Sequence, residues 1–177
     1  MTDNVLLQID DSVFDPNFMP LDASQFKKRN SSRGVLIHEG KVALLNVTKD
    51  GYHKLPGGGF EEGEDLDQAF KRELIEETGC DCEILDHAGI IIETRSKFKL
   101  IQTSHVFLAQ VKGVPQPPQF DEGEINAGYE LEWHDVEEAQ RIFENQKTGL
   151  YEGSFICLRD KTIFSHYKEK IYSLTSK

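Results

Sequence analysis

The segment from Gly58 to Cys80, which reads GGFEEGEDLDQAFKRELIEETGC, constrains the chain more than any other stretch. Its apolar and acidic residues recur at intervals of three and four, which predicts a helix over residues 65–78. One face of that helix carries Leu66, Ala69, Phe70, Glu73, Glu76 and Glu77. The inward stripe therefore begins apolar and ends in three carboxylates, which a packed helix cannot bury without a cation.

A hard, oxygen-seeking cation such as Mg2+ fits these carboxylates, and it also binds substrate phosphates. A solvated acidic face is the alternative interpretation of such a run. The flanks favour the metal. Leu55 to Phe60 is a glycine-rich turn whose backbone can approach a ligand closely, Asp65 and Gln68 form a capping box, and Gly79 ends the helix. A phosphate-binding P-loop would require Gly-Lys-Ser/Thr, which is absent here.

The same segment resembles the Nudix box of the Nudix hydrolases, G-x5-E-x7-R-E-U-x-E-E-x-G-U with U aliphatic. Gly58, Glu64 and the run from Arg72 to Gly79 match its fixed positions. Cys80 departs from the last aliphatic position, which is mild because a buried free Cys behaves as a small hydrophobe. The resemblance implies an α/β fold, a Nudix-type α/β/α sandwich with a mixed sheet, over residues 31–177. Residues 1–30 are expected to form an N-terminal arm with one strand.

The resemblance also implies a reaction, the hydrolysis of a nucleoside diphosphate linked to another group by water attack at phosphorus with Mg2+ or Mn2+. Carried over by position, the catalytic residues are Arg72, Glu73, Glu76 and Glu77, and the metal ligands are those three glutamates with the carbonyl of Gly57. Gly58 and Glu64 are expected to support them, and Arg72 to hold a box glutamate in place. A non-catalytic nucleotide-sensing module is the alternative function.

The general base stays open between Glu73 and a distal acid. Glu122 and Glu124 follow a proline-rich loop over residues 113–120, and Glu124 is a further candidate metal ligand; both can also be solvated loop acids. Arg33 and Phe98 are candidate substrate contacts. The alternatives are a solvated basic cluster around residues 27–33 and packing of an aromatic side chain.

Composition limits the partners. The net charge of −11 is concentrated in residues 58–80, with eight acidic residues against Lys71 and Arg72, which argues against a nucleic acid duplex and for a small nucleotide substrate bridged by a cation. Three cysteines, no apolar run long enough for a membrane and no signal pattern predict a cytoplasmic protein without membrane contact. A homodimer is compatible with the sequence. The substrate stays open among nucleoside triphosphates, nucleotide sugars and dinucleoside polyphosphates.

Outside the box, the pattern of β-branched residues and turns predicts strands and two late helices. The six histidines are scattered without paired helical spacing, so no histidine site is expected. The predicted strands cover residues 5–7, 34–37, 42–47, 52–55, 82–94, 99–111 and 129–133, and the predicted helices cover 135–146 and 156–173.

Overall fold

A computed structural model describes residues 4–175; the predicted arm 1–30 and domain 31–177 each extend past these limits, at residues 1–3 and 176–177. Within that range the chain forms a single eight-stranded sheet. The strands are β1 Val5–Asp10, β2 Lys27–His38, β3 Lys41–Val47, β4 Tyr52–Lys54, β5 Gly57–Gly59, β6 Asp81–Arg95, β7 Leu100–Lys112 and β8 Tyr129–Asp135.

The sheet is mixed. Its order is β1-β6-β7-β2-β3-β4, with β5 paired to β2 and β8 paired to β3. The pairs β1/β6 and β2/β7 are parallel, and the remaining pairs are antiparallel. The predicted hairpin of β2 and β3 is confirmed, with Ile37 opposite Val42. So is the antiparallel pair of β6 and β7.

Four helices flank the sheet: α1 Leu66–Thr78, α2 Glu122–Ala127, α3 Val136–Asn145 and α4 Tyr151–Thr175. One sheet face packs on α1 through a core that includes Leu36, Phe70 and Phe107. The opposite face packs on α3 and α4 through a core that includes Phe143 and Phe164. Burying the apolar stripe of each helix on one side of the sheet gives the predicted α/β/α sandwich.

Helix α1 begins and ends as its sequence predicts. Asp65 accepts a hydrogen bond from the backbone N–H of Gln68, and the Gln68 side chain accepts one from the N–H of Asp65. Gly79 follows the last turn with φ of 68°, the left-handed conformation that glycine adopts without steric cost. These two ends fix how the three glutamates of the box are presented.

The structure differs from the prediction around the basic cluster Lys27–Arg29, which belongs to β2 rather than to a loop. Parallel pairing with β7 supplies the backbone hydrogen bonds that this polar stretch needs, so it forms a strand without an apolar pattern. The glycine segment likewise forms the short strand β5 along β2. The N-terminal strand β1 runs parallel to β6 and contributes Ile9 to the core.

Two further differences concern helices. The acids after the proline-rich loop lie in α2, a short helix that begins with a capping box of Asp121 and Glu124, and not in a loop. Helix α4 starts five residues earlier than predicted, at Tyr151. Phe98 lies in a 3-10 turn between β6 and β7. No helix within residues 4–175 is long and apolar enough to cross a bilayer.

Candidate functional site

A cavity of about 690 Å³ lies between α1, β5, α2 and the start of α4. Its lining includes both acidic and basic side chains. We call the first set the acidic half, which consists of Glu73, Glu76, Glu77 and Glu124. We call the second set the basic half, which consists of Arg33, Arg95 and Arg159.

Arg72 organises the acidic half from its edge. Its Nε donates to Glu64 Oε1 at 2.7 Å, and its Nη1 donates to Glu73 at 3.0 Å and to Glu76 at 2.8 Å. Its Nη2 reaches the carbonyl oxygen of Gly59 at 2.8 Å. The hydrogen bonds from Arg72 lower the pKa of Glu64, and the Glu64 carboxylate in turn raises the pKa of Arg72. One guanidinium therefore ties the glycine segment to two box glutamates and to Glu64.

Glu77 is fully buried, and each of its carboxylate oxygens accepts a hydrogen bond. Lys54 Nζ donates to Glu77 Oε1 at 2.9 Å, and the backbone N–H of Gly57 donates to Oε2 at 2.5 Å. Lys54 also donates to the hydroxyl of Tyr129 at 3.1 Å. Burial alone would lower the pKa of Lys54, but the Glu77 charge raises it overall. Lys54, which sequence reasoning did not single out, therefore holds the innermost glutamate.

The negative charges of Glu73 and Glu124 are less well compensated by neighbouring groups than that of Glu77. Burial, followed by the charge of Glu77, raises the pKa of Glu73 despite the nearby Arg72. Burial also raises the pKa of Glu124 to about 7, again with a contribution from the negative charge of Glu77. Carboxylates whose pKa is raised by a neighbouring negative charge form a site that a cation would stabilise. The oxygen donors of the acidic half thus fit a hard divalent cation.

Gly58 lies directly against Glu73 where α1 meets β5. A Cβ atom on Gly58 would lie 2.5 Å from the Glu73 carboxylate oxygens, which real Cβ contacts do not allow. Any larger residue would therefore force the Glu73 carboxylate to shift. This contact gives a physical reason for the first glycine of the box.

Within residues 4–175, Arg33 is the member of the basic half that forms no ion pair with a carboxylate. Arg33 is buried, its Nη1 donates to the carbonyl oxygen of Leu55 at 2.7 Å, and its Nε has no hydrogen-bond partner among residues 4–175. Burial and the positive charge of Arg159 lower the pKa of Arg33. A buried guanidinium of this kind is well suited to bind an anionic group of a ligand.

Arg95 and Arg159 have carboxylate partners, and sequence reasoning missed both as cavity residues. Arg95 pairs with Glu93 at 2.9 Å and with Glu152 at 2.7 Å. Arg159 pairs with Asp160 at 2.7 Å and lies 3.5 Å from Glu93. The members of this network come from β6 and α4, which are far apart in sequence. No local spacing of residues therefore predicts that they meet.

Two predicted residues lie outside the cavity lining. Phe98 is about half exposed, with 46% of its surface accessible, and packs edge-on against Tyr151 with ring centroids 5.2 Å apart. Glu122 is exposed at the first turn of α2, whereas Glu124 faces the cavity. The aromatic side chains that do line the cavity are Phe60 and Tyr129.

Comparison with known proteins gives the family of this chain. The family described as the NUDIX domain matches residues 27–152. No curated protein matches the chain. Among solved structures, a NUDIX hydrolase from Nitrosomonas europaea is 23% identical, with a TM-score of 0.56 over 76% of this chain and 88% of that one.

Two more solved structures share the fold. A NUDIX family hydrolase from Clostridium perfringens is 15% identical, with a TM-score of 0.54 over 77% of this chain and 96% of that one. A MutT NUDIX hydrolase from Burkholderia pseudomallei is 20% identical, with a TM-score of 0.51 over 76% of this chain and 98% of that one. At such identities the similarity shows the fold alone. The family match, however, spans more than half of the sequence, and the chain therefore belongs to the NUDIX family.

Proposed function

We propose that this protein is a metal-dependent hydrolase that cleaves the diphosphate linkage of a nucleoside diphosphate joined to another group. The observation that carries the proposal is the cavity itself. It combines mutually repelling carboxylates with Arg33, a buried cation that forms no ion pair in the described structure. A metal bound by the acids and a phosphate bound by the arginine would satisfy both halves together.

Glu73, Glu76 and Glu77 would hold Mg2+ or Mn2+ together with the carbonyl of Gly57, and Glu124 would add a ligand from α2. When bound, the metal would neutralise charge on the phosphoryl oxygens and lower the pKa of a coordinated water. Gly58 leaves room for Glu73, and Glu64 braces Arg72. These residues are the acidic half with its immediate supports.

The remaining side chains would orient and bind the substrate. Arg33 would donate hydrogen bonds to a phosphoryl oxygen, and Arg72 would keep Glu73 and Glu76 in position. Water attack would form a new O–P bond, break the bridging P–O bond and release one proton to a carboxylate. Burial raises the pKa of both Glu73 and Glu124, to about 7 for Glu124, and the choice of base lies between these two carboxylates.

The substrate class stays among nucleoside triphosphates, nucleotide sugars and dinucleoside polyphosphates. Phe60 and Tyr129 are the aromatic groups of the cavity lining, so a base would stack there rather than on Phe98. We also propose a cytoplasmic location, which the three free cysteines support. We propose no duplex nucleic acid or membrane partner and leave the choice between monomer and homodimer open.

A panel of nucleotides with Mg2+, run in parallel with a chelator, tests the proposal. Hydrolysis should require the metal and yield a nucleoside monophosphate with the remaining phosphorylated group, or with pyrophosphate from a triphosphate. Orthophosphate should appear only after a coupling phosphatase is added. Direct release of orthophosphate from a triphosphate as the main product would contradict the proposed cleavage of the diphosphate linkage.

One observation favours a second function, a non-catalytic nucleotide-sensing module. The ammonium group of Lys54 already neutralises Glu77, so the protein supplies a cation next to a predicted metal ligand. Binding of a nucleotide from the panel, measured by calorimetry, without any turnover at saturating Mg2+ and Mn2+ would support the sensor. Turnover of any member would exclude it.

A further inference from the structure

A second group of ligand-type side chains lies on the sheet face opposite the box helix. His53 lies in β4, and Glu132 and His134 lie in β8, with β3 between the two strands. Glu132 Oε2 is 3.1 Å from His53 Nε2 and 2.7 Å from His134 Nε2. One nitrogen or oxygen atom from each of the three residues lies within 4.8 Å of the others.

Neighbouring side chains hold the atoms that would not face an ion. Asn46 Nδ2 donates to Glu132 Oε1 at 2.8 Å, which leaves Oε2 directed at the two histidines. Glu138 Oε2 lies 3.1 Å from His134 Nδ1, the carboxylate–histidine contact that commonly orients a metal-bound imidazole. Gln146 accepts from the backbone N–H of His53 and donates to its carbonyl oxygen. These neighbours therefore hold the two histidines and Glu132 in place, as the residues around a metal ligand commonly do.

His134 is held between two carboxylates. Its Nε2 faces Glu132 and its Nδ1 faces Glu138. A bound cation could occupy the space between Nε2 and Glu132, while the Nδ1 proton is donated to Glu138.

We propose that His53, Glu132 and His134 form a binding site for a transition-metal ion of the Zn2+ class. Two imidazoles and one carboxylate suit Zn2+ far better than Mg2+, which takes oxygen ligands. The three side chains are partly exposed, so water can complete a four-coordinate shell. This site is distinct from the acidic half of the cavity, which lies on the α1 side of the sheet.

The site would join β4 to β8 across β3. Lys54 follows His53 in β4 and reaches the opposite side, where it binds Glu77 and Tyr129. An ion at His53 would therefore fix the strand that positions Lys54. We assign it a structural role in holding these two strands together.

The test is a Zn2+ titration of the purified protein against a chromophoric chelator. Excess Mg2+ is present to occupy the acidic half of the cavity. The wild type should bind one Zn2+ that Mg2+ does not displace. His53→Ala, His134→Ala and Glu132→Gln should each weaken this binding by about tenfold or more, and the double variant His53→Ala/His134→Ala should lose it. Glu76→Gln and His166→Ala, altered in the acidic half and on an exposed part of α4, serve as matched controls and should keep it.

Two further measurements keep the test decisive if a variant folds poorly. Zn2+ should raise the Tm of the wild type, because an ion that binds only the folded state stabilises it, and should leave the Tm of the folded double variant unchanged. Co2+ bound to the wild type should show the intense visible absorption of a four-coordinate site rather than the weak absorption of an octahedral one. Absence of Mg2+-resistant Zn2+ binding by the wild type, or its retention by the double variant, would overturn the proposal.

Discussion

The acidic and basic halves of the cavity treat charge differently. In the basic half, Arg95 and Arg159 are neutralised by Glu93, Glu152 and Asp160, and Arg33 is the described member without a carboxylate partner. In the acidic half, Glu77 is paired with Lys54, whereas Glu73 and Glu124 have raised pKa values. Each half thus contains charge that the fold has neutralised and charge that it has not.

This difference indicates a division of labour. Buried ion pairs are costly to break and position their neighbours, whereas a buried charge without a partner costs free energy that a ligand can recover. Substitutions in the buried pairs, including Glu77 although it is also a proposed metal ligand, should therefore lower stability. Substitutions of Glu76, Glu124 and Arg33 should instead act mainly on metal and substrate.

The largest effect is expected from Glu76→Gln. Its carboxylate is the most exposed of the three box glutamates and contacts Arg72 alone among the described hydrogen-bond donors, so the substitution should leave the fold intact. Loss of a charged metal ligand should lower kcat by about two to three orders of magnitude, roughly 3–4 kcal/mol. Steady-state kinetics at saturating Mg2+ measures this. Near wild-type turnover would show that Glu76 is not a ligand.

Glu77→Gln should instead unfold more readily in the absence of metal. The substitution leaves Lys54 buried without its carboxylate, and removal of one partner of a buried pair costs about 3 kcal/mol. Denaturant unfolding in the presence of a chelator measures the free energy of unfolding. Glu73→Gln is the matched control and should be neutral or stabilising, because burial and Glu77 already disfavour the charge of Glu73. Equal destabilisation by both variants would contradict the proposed division.

Substitution of Arg33 with Met tests the basic half. Loss of a charged hydrogen bond to a phosphoryl oxygen should lower kcat/KM by about 1.5–3 kcal/mol, roughly ten- to a hundredfold. Stability should fall only slightly, because the guanidinium forms no ion pair in the described structure and the substitution removes just its hydrogen bond to the Leu55 carbonyl. Lys28→Ala, exposed on the same strand and outside the cavity lining, is the control. A large drop in Tm with unchanged kinetics would make Arg33 a structural residue.

Sequence reasoning found the acidic half because its residues lie in one motif. Glu73, Glu76 and Glu77 share a helix, so spacing alone places them together, and the capping box and Gly79 mark its ends. The helix α2 could also have been found, because Asp121 and Glu124 have the spacing of a capping box.

The rest of the site depends on the order of strands in the sheet. Arg159 and Glu93 are 66 positions apart, and His53 and Glu132 are 79 positions apart. Nothing in one sequence indicates that such pairs meet, because their contact follows from the topology of the sheet and the packing of α4. The polar start of β2 was missed for the same reason, since its pairing partner β7 lies far along the chain.

The smallest effect is expected at α2, and it decides whether the acidic half extends beyond the box. Glu124 faces the cavity, and the Glu77 charge contributes to raising its pKa, so the two carboxylates lie within electrostatic reach of each other. Glu124→Ala should lower kcat by about tenfold, roughly 1.4 kcal/mol, the lower part of the range for a lost proton acceptor or accessory ligand. The Glu124 side chain also accepts a hydrogen bond from the backbone N–H of Asp121, so part of any change in Tm reports the cap.

Glu124→Gln separates these contributions, because glutamine keeps the capping hydrogen bond and removes the charge. It should therefore match Glu124→Ala in kcat while retaining more of the wild-type Tm. Glu122→Ala and Glu130→Ala, both exposed and outside the cavity lining, should keep full activity. If Glu130→Ala lost activity while both Glu124 variants retained it, the distal acid would belong to β8, and α2 would only pack beside the site.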